Sequence, residues 1–519
     1  MKKLALAVVV LVLSVAVGLF VAGKPRQQAW TSGWASDQAL TFPKDFYFGT
    51  ATAAQQIESQ SPSDWTAFEL DVIANKRTEH GSAPGVAKPG HIAALDQFSQ
   101  AVRTRKTDYD QRYAEDFQAA REVLGNNAYR FSFEWSRLFP RADMTRPDPA
   151  AIAFYQGVLD SLKAQGLTPF ATLFHFSSPA WLWTEQDGQR GWERADAQQQ
   201  WQRYVDAVLE HFGGQIQHWT TLNEPMVFLN AGYLDGVFPP LETRADPAAT
   251  GPALAAMARA HAYAYHAIKQ HAQAQATSSG QPVQETWVGI TQHTRAFEPW
   301  RNWHPLERFA ARQIDEIFIW DLLDALESGE LTLTGTGFSE QIEGLASTQD
   351  YVGINYYGRF YVEVDMANPA KPIIHSHDPA TDQWVNDLGW ALYPKGFGDV
   401  LQTAYERYNK PIYVLENGTA DQADNDVRRQ YLLVTHLAEM AHAMQQGVPL
   451  KGYFHWSLTD NFEWAEGFTA RFGLFALDYA NDFKRTARPS ASLYGRIARE
   501  GLQPALLQSL NDLQPPRQP

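Results

Sequence analysis

The chain contains no cysteine. That excludes a disulfide framework, a thiolate metal site and a cysteine nucleophile. Charge is sparse as well: Asp, Glu, Lys and Arg make up 19% of the 519 residues, against 45% hydrophobic residues. Such a balance argues against extensive disorder and supplies a large core. Positive charge is the scarcer sign, 43 Lys and Arg against 58 Asp and Glu, which leaves a formal charge of −15. No basic block interrupts it, so nucleic acid is not an expected partner. No His/Asp cluster carries metal-ligand spacing, and neither a metal nor a cofactor is expected. Aromatic residues are abundant, with 17 Trp. Composition alone assigns them to the core; a platform for sugar rings is the sharper alternative.

Only one hydrophobic run is long. Leu4 to Gly23 is uncharged over twenty residues and follows Met1-Lys2-Lys3. That length suits a bilayer span, whereas a signal-peptide core is usually shorter. Val21 and Gly23 are small enough for a cleavage site. The expectation is membrane contact through residues 4–23, as an uncleaved anchor in preference to a cleaved signal. Lys2 and Lys3 favour a cytoplasmic N-terminus and export of the remainder of the chain, periplasmic or extracellular, or secreted on cleavage. Lys24 and Arg26 oppose that orientation. Residues 24–40 read as a linker, 41–501 as one domain and 502–519 as a tail.

From Phe42 onward one pattern repeats. The runs "FYFGTAT", "NAYRFSFEW", "TPFATLFHF", "HWTTLNEP", "WVGITQHT", "YVGINYYG", "PIYVLENG" and "KGYFHWSL" are of strand type. Longer stretches with helical spacing separate them, such as "YAEDFQAAREVLG" with Phe117, Ala120 and Val123 on one stripe. Strands alternating with helices pair in parallel through right-handed crossovers. Near-continuous apolar runs mark strands covered on both faces. Eight such units predict an α/β fold, a single (β/α)8 barrel with long strand-to-helix loops. An open doubly wound sheet usually brings a Gly-rich phosphate loop after its first strand, and "GTATAAQQ" is not one. Strand ends carry polar groups in excess: Arg130, Glu134, His175, Asn223, Glu224, His293, Asn355, Glu416 and Asn417. Residues 73–106 and 358–393 are long enough to be functional rims.

Two of those residues are carboxylates on strands that face each other across a barrel mouth. Glu224 ends the fourth strand in "TLNEP" and Glu416 the seventh in "VLENG". A carboxylate at the end of an apolar run is costly unless it is paired or used. Two aimed into one cavity suit glycoside hydrolysis, one protonating the leaving oxygen and the other attacking or activating water. The plainer alternative is a pair of buried structural glutamates held by Arg or backbone donors.

Over roughly Phe42 to Glu500 the sequence resembles the β-glycosidases of glycoside hydrolase family 1. "FPKDFYFGTATAAQQIES", "YRFSFEWSRLFP", "TLNEP", "DYVGINYYG", "VLENG" and "GYFHWSLTDNFEWAEGFTARFGLFALDY" carry the resemblance, in order and on the expected strands. It implies retaining hydrolysis of O-linked β-D-glycosides, with Glu224 as general acid/base and Glu416 as nucleophile. Their carboxyls are then expected about 5–5.5 Å apart. It also implies that Gln56, His175, Asn223, Trp456, Glu463 and Trp464 bind the sugar, supported by Arg130, Asn355 and Tyr357. Arg130 is expected to lower the pKa of Glu416, and a drier setting beside a negative charge to raise that of Glu224. Glu463 as a carboxylate would repel a 6-phosphate, so an unphosphorylated glucose, galactose or fucose unit is expected.

Some positions depart from the family's usual pattern: Gln55, Ser59, "TDYDQRY", Phe176 for a common Trp, His293 for a frequent Asn, and Leu415 for a usual Thr. None removes a catalytic carboxylate. The alternatives are transfer of the glycosyl unit to a glycolipid acceptor at a membrane, and a non-catalytic glycan-binding member of the family.

Overall fold

The computed structural model describes residues 39–75, 95, 97–368, 371–510, 513 and 515. The expected membrane segment and nearly all of the linker lie outside them, as does most of the 73–106 rim. Among the described residues no helix is long and apolar enough to cross a membrane.

All eight expected strands form one parallel barrel. They are β1 (Tyr47–Ala51), β2 (Ala128–Ser132), β3 (Thr168–Phe174), β4 (His218–Asn223), β5 (Trp287–Pro299), β6 (Val352–Glu363), β7 (Ile412–Asn417) and β8 (Leu450–Trp456). Each pairs with the next, and β8 closes on β1 with Tyr47 opposite Gly452. β2, β4 and β7 are buried at every residue, because helices cover the outside and side chains fill the inside.

The barrel interior divides into an apolar floor and a polar top. Tyr47, Phe170, His218, Tyr413 and Phe454 close the N-terminal end, with Phe170 and His218 stacked at 4.1 Å between ring centroids. An aromatic plug closes that end, and (β/α)8 enzymes place their chemistry at the other. β5 and β6 run past the barrel as a ribbon paired up to Pro299 and Val362. The short strand Ile373–His375 adds to it in antiparallel sense. The expected 358–393 rim is therefore part strand, and it stands beside the mouth.

Candidate active site

Which face of β7 looks inward is decided by one irregularity. Val414 is opposite Ile354, yet Glu416 is opposite Asn355, so β7 carries an extra residue at Leu415. Strand side chains alternate with a period of two, and a bulge resets that phase. Glu416 thereby turns into the barrel, on the same side as Tyr413. Asn417 turns out and bonds the Tyr356 carbonyl and His436. Glu224 stands one residue past β4 with φ +46°, a left-handed conformation uncommon for a non-glycine residue. Pro225 opens a short helix behind it, and the N–H of Glu224 donates to the Thr291 carbonyl at 2.7 Å. The backbone on both sides is thus fixed, and with it the carboxyl.

A single hydrogen-bonded network joins the two glutamates. Arg130 donates through Nη1 to Oε1 of Glu416 and through Nη2 to Oδ1 of Asn223, both at 2.5 Å. Tyr357 donates its hydroxyl to Oε2 of Glu416 at 2.8 Å. Asn355 donates to Oε1 of Glu224 at 2.6 Å. Nδ1 of His293 lies 3.1 Å from that same oxygen. His175 approaches Glu416 from the other side, with Nε2 at 3.8 Å. Both carboxyls are almost fully buried, at 5% exposure for Glu224 and 3% for Glu416.

A second group lies against this network. Gln56 donates to the Phe462 carbonyl at 2.7 Å and to Oε2 of Glu463 at 3.1 Å. Trp456 donates its indole N–H to the same Glu463 oxygen at 3.4 Å. The His175 ring sits 5.8 Å from both Trp456 and Trp464. Several buried polar atoms here have no hydrogen-bond partner among the described residues: Oε1 of Gln56, Nδ1 of His175, Nδ2 of Asn223 and Oδ1 of Asn355. Unpaired buried polar groups are costly and rare in a core, so four around one carboxyl pair mark a place built for a polar ligand. All eleven expected site residues are thus brought together.

The profile of Glycosyl hydrolase family 1 matches residues 38–501. The chain belongs to that family. Among curated relatives, β-glucosidase A of Thermotoga maritima is 30% identical over 477 residues, covering 88% of this chain and 98% of its own. Among solved structures, a β-glycosidase from Pyrococcus horikoshii superposes with a TM-score of 0.74 at 31% identity, covering 91% of this chain and 98% of that one. The Thermotoga maritima β-glucosidase in complex with deoxynojirimycin gives 0.73 at 29% identity, covering 89% and 99%.

Two of the strand-end polar residues stay outside this family 1 site. Asn417 faces the outer helices. Glu134 lies beyond the end of β2, caps the helix Trp135–Leu138 and accepts from Ser136 and Ser177. Three neighbours of the site are not among the expected residues: Asn461, inside the last quoted motif, which accepts from Gln56, and Arg295 and Trp390, which stand beside Tyr357. Phe176, another departure from the family pattern, packs its ring 5.1 Å from Trp464 and 5.6 Å from Phe238. It makes that wall apolar. Among the described residues no cluster of His, Asp and Glu is placed to hold a metal ion.

Proton placement differs from the expectation. Burial, reinforced by the charge of Glu224, pushes Glu416 up to about 7 against the pull of Arg130 and Tyr357. At Glu224 burial acts upward too, but His293, Asn355 and Arg130 together hold the group below its ordinary value. The two protonations are one property of the pair. The largest downward pull on Glu224 is the charge of His293, which exists only on an imidazolium. Burial and Arg295 keep His293 below its ordinary value, hence neutral at pH 7. Arg130 is then the permanent cation in contact with the pair, and it sits on Glu416. On that ground the negative charge belongs on Glu416 and the proton on Glu224. Glu463, with no Lys or Arg paired to it among the described residues, is raised by burial to about 8, so at pH 7 it is a neutral acid rather than the expected carboxylate.

These buried acids make stability depend on pH. Glu58 and Glu463 rise to about 8, and Asp64 to about 7. In the unfolded chain each ionises near 4. Between pH 6.5 and 8.5 the folded state therefore binds more protons, and stability falls as pH rises. The buried histidines, lowered in the fold, act below that window. Thermal unfolding is expected to show a Tm that drops steadily from pH 6.5 to 8.5, with a shallower slope in Glu463→Gln. A Tm that climbs over this range contradicts the assignment.

Proposed function

We propose that this family 1 β-glycosidase hydrolyses unphosphorylated β-D-glycosides by double displacement, with Glu416 as nucleophile and Glu224 as acid/base. The observation that carries the roles is the asymmetry of their partners. Glu416 contacts a permanent cation and a phenol, which suit an anion that attacks the anomeric carbon. Glu224 contacts a neutral amide and a neutral imidazole, which permit it to hold a proton for the leaving oxygen. Asn223 presents an unpaired amide N–H beside Arg130, suited to the sugar 2-hydroxyl. Gln56 and Glu463 offer an acceptor and a neutral carboxyl to the hydroxyls farther round the ring. No Lys or Arg pairs with Glu463 among the described residues, so a 6-phosphate has no counter-ion there. Trp456 supplies a flat apolar face.

Support for export or membrane tethering rests on the Leu4–Gly23 stretch. The test of function is product stereochemistry. Aryl β-D-glucosides, galactosides and fucosides are mixed with the enzyme, and the first-formed sugar is followed by proton NMR. The β-anomer is expected first, mutarotating later. Release of the α-anomer, or no release from any of the three, contradicts the reading.

A further inference from the structure

Behind Glu224 stands a second side chain, Arg295, which holds His293 in turn. Arg295 is 4% exposed, and its guanidinium lies between the rings of Phe360 and Trp390, 4.0 and 4.4 Å from their centroids. Its Nε donates to Nε2 of His293 at 2.7 Å, and Nη1 to the Tyr357 carbonyl at 3.4 Å. A guanidinium has no acceptor, so Nε2 of His293 must be the bare, accepting nitrogen. A neutral imidazole bare at Nε2 carries its hydrogen at Nδ1. That nitrogen has no other partner and lies 3.1 Å from Oε1 of Glu224, off the ideal N–H direction. Asn355 donates to the same oxygen at 2.6 Å. Both neighbours therefore converge on Oε1, and neither engages Oε2.

We propose that Arg295 and His293 form a positioning relay, in which Arg295 locks the Nδ1–H tautomer of His293, and His293 with Asn355 confines the transferable proton of Glu224 to Oε2. The relay rests on the reading of Glu224 as acid/base. A carboxylic acid accepts through its carbonyl oxygen and donates through its hydroxyl. Two donors on Oε1 thus make Oε2 the hydroxyl, and the proton faces one way before the substrate arrives. After the leaving group departs, the same donors steady the carboxylate that draws the proton from water. Arg295 also disfavours a second proton on His293, so the relay keeps one charge state while Glu224 changes its own. Among the described residues three titratable groups face His293: Glu224 just past β4, Arg295 on its own strand, and Tyr357 from β6, stacked at 5.4 Å and held un-ionised by burial and by Glu416. Phe318 covers its remaining edge.

The test compares His293→Phe and His293→Asn on two aryl β-glycosides, one with an activated leaving group and one with a poor one. His293→Phe deletes a donor to the ionised form of Glu224. The basic limb of kcat/KM is expected to move up by about one pH unit. Turnover of the poor leaving group is expected to fall roughly tenfold or more, and that of the activated one much less. Asn restores an N–H donor and is expected to bring both readings back toward the parent. Histidine 15N shifts supply the second readout. His293, identified by its loss in His293→Asn, is expected to be protonated at Nδ1 and bare at Nε2, and to become a mixture of tautomers in Arg295→Met. Equal losses on both substrates, an unmoved basic limb, or an Nε2–H tautomer in the parent overturns the relay. Failure of the underlying reading has another signature: Glu224→Ala itself then shows no dependence on the leaving group.

Discussion

Glu416→Gln is expected to lower kcat/KM by at least about 10⁴-fold on every β-glycoside the enzyme accepts. The amide is nearly isosteric, so the fold remains. Its nitrogen can still meet Tyr357 and its oxygen can still accept from Arg130. What disappears is the anionic oxygen proposed to form a bond to the anomeric carbon. Leaving-group quality should not soften the loss, because no leaving group departs without attack or strong charge stabilisation at the sugar. The companion Glu416→Gly opens a space on the same side. Azide added to that variant is expected to attack from the face the carboxylate occupied and yield the α-glycosyl azide. Near-parent turnover in Glu416→Gln removes the residue from the mechanism.

Glu224→Ala should fail in a different way. Proton donation contributes about 10²–10⁴-fold, and only where the leaving oxygen needs it. Alkyl and unactivated aryl glycosides are expected to lose that full factor. Glycosides of acidic phenols should still lose their aglycone quickly, then stall, because no base remains to activate water. A burst of phenol followed by a slow steady state is the expected trace. Azide bypasses the missing base, restores turnover and gives the β-glycosyl azide, since it enters where the acid/base stood. Product stereochemistry thus separates the two carboxyls: α-azide at one position and β-azide at the other. Identical azide products from both variants contradict the division of roles.

The barrel was legible because each strand is buried on both faces and therefore reads as one apolar run, and because polar residues accumulate where those runs stop. The carboxyl pair was legible for the same reason. Their strand ends, "LNE" and "LEN", interrupt apolar sequence with groups a core does not need. Facing was not legible. Asn417 and Glu134 look like Glu416 and Asn223 by position, yet the bulge at Leu415 turns Asn417 outward, and Glu134 has already left its strand to cap a helix. A period-two pattern carries no information once the register slips. The roles of Gln56, Trp464 and Glu463 rested on family resemblance, because the loops that carry them fold back over the mouth from parts of the chain some 400 residues apart. Proton placement was hidden too. It depends on Arg295, which shares a strand with His293 and has no motif of its own.

The most direct measurement is to trap the covalent intermediate. A 2-deoxy-2-fluoro β-glycoside with an activated leaving group slows the second step more than the first, so the glycosyl-enzyme accumulates. Digestion and mass spectrometry are expected to find the added sugar on the peptide containing "VLENG", as an ester on Glu416, with the label lost in Glu416→Gln. A label on any other residue, or full inactivation of Glu416→Gln at the parent rate, contradicts the central claim.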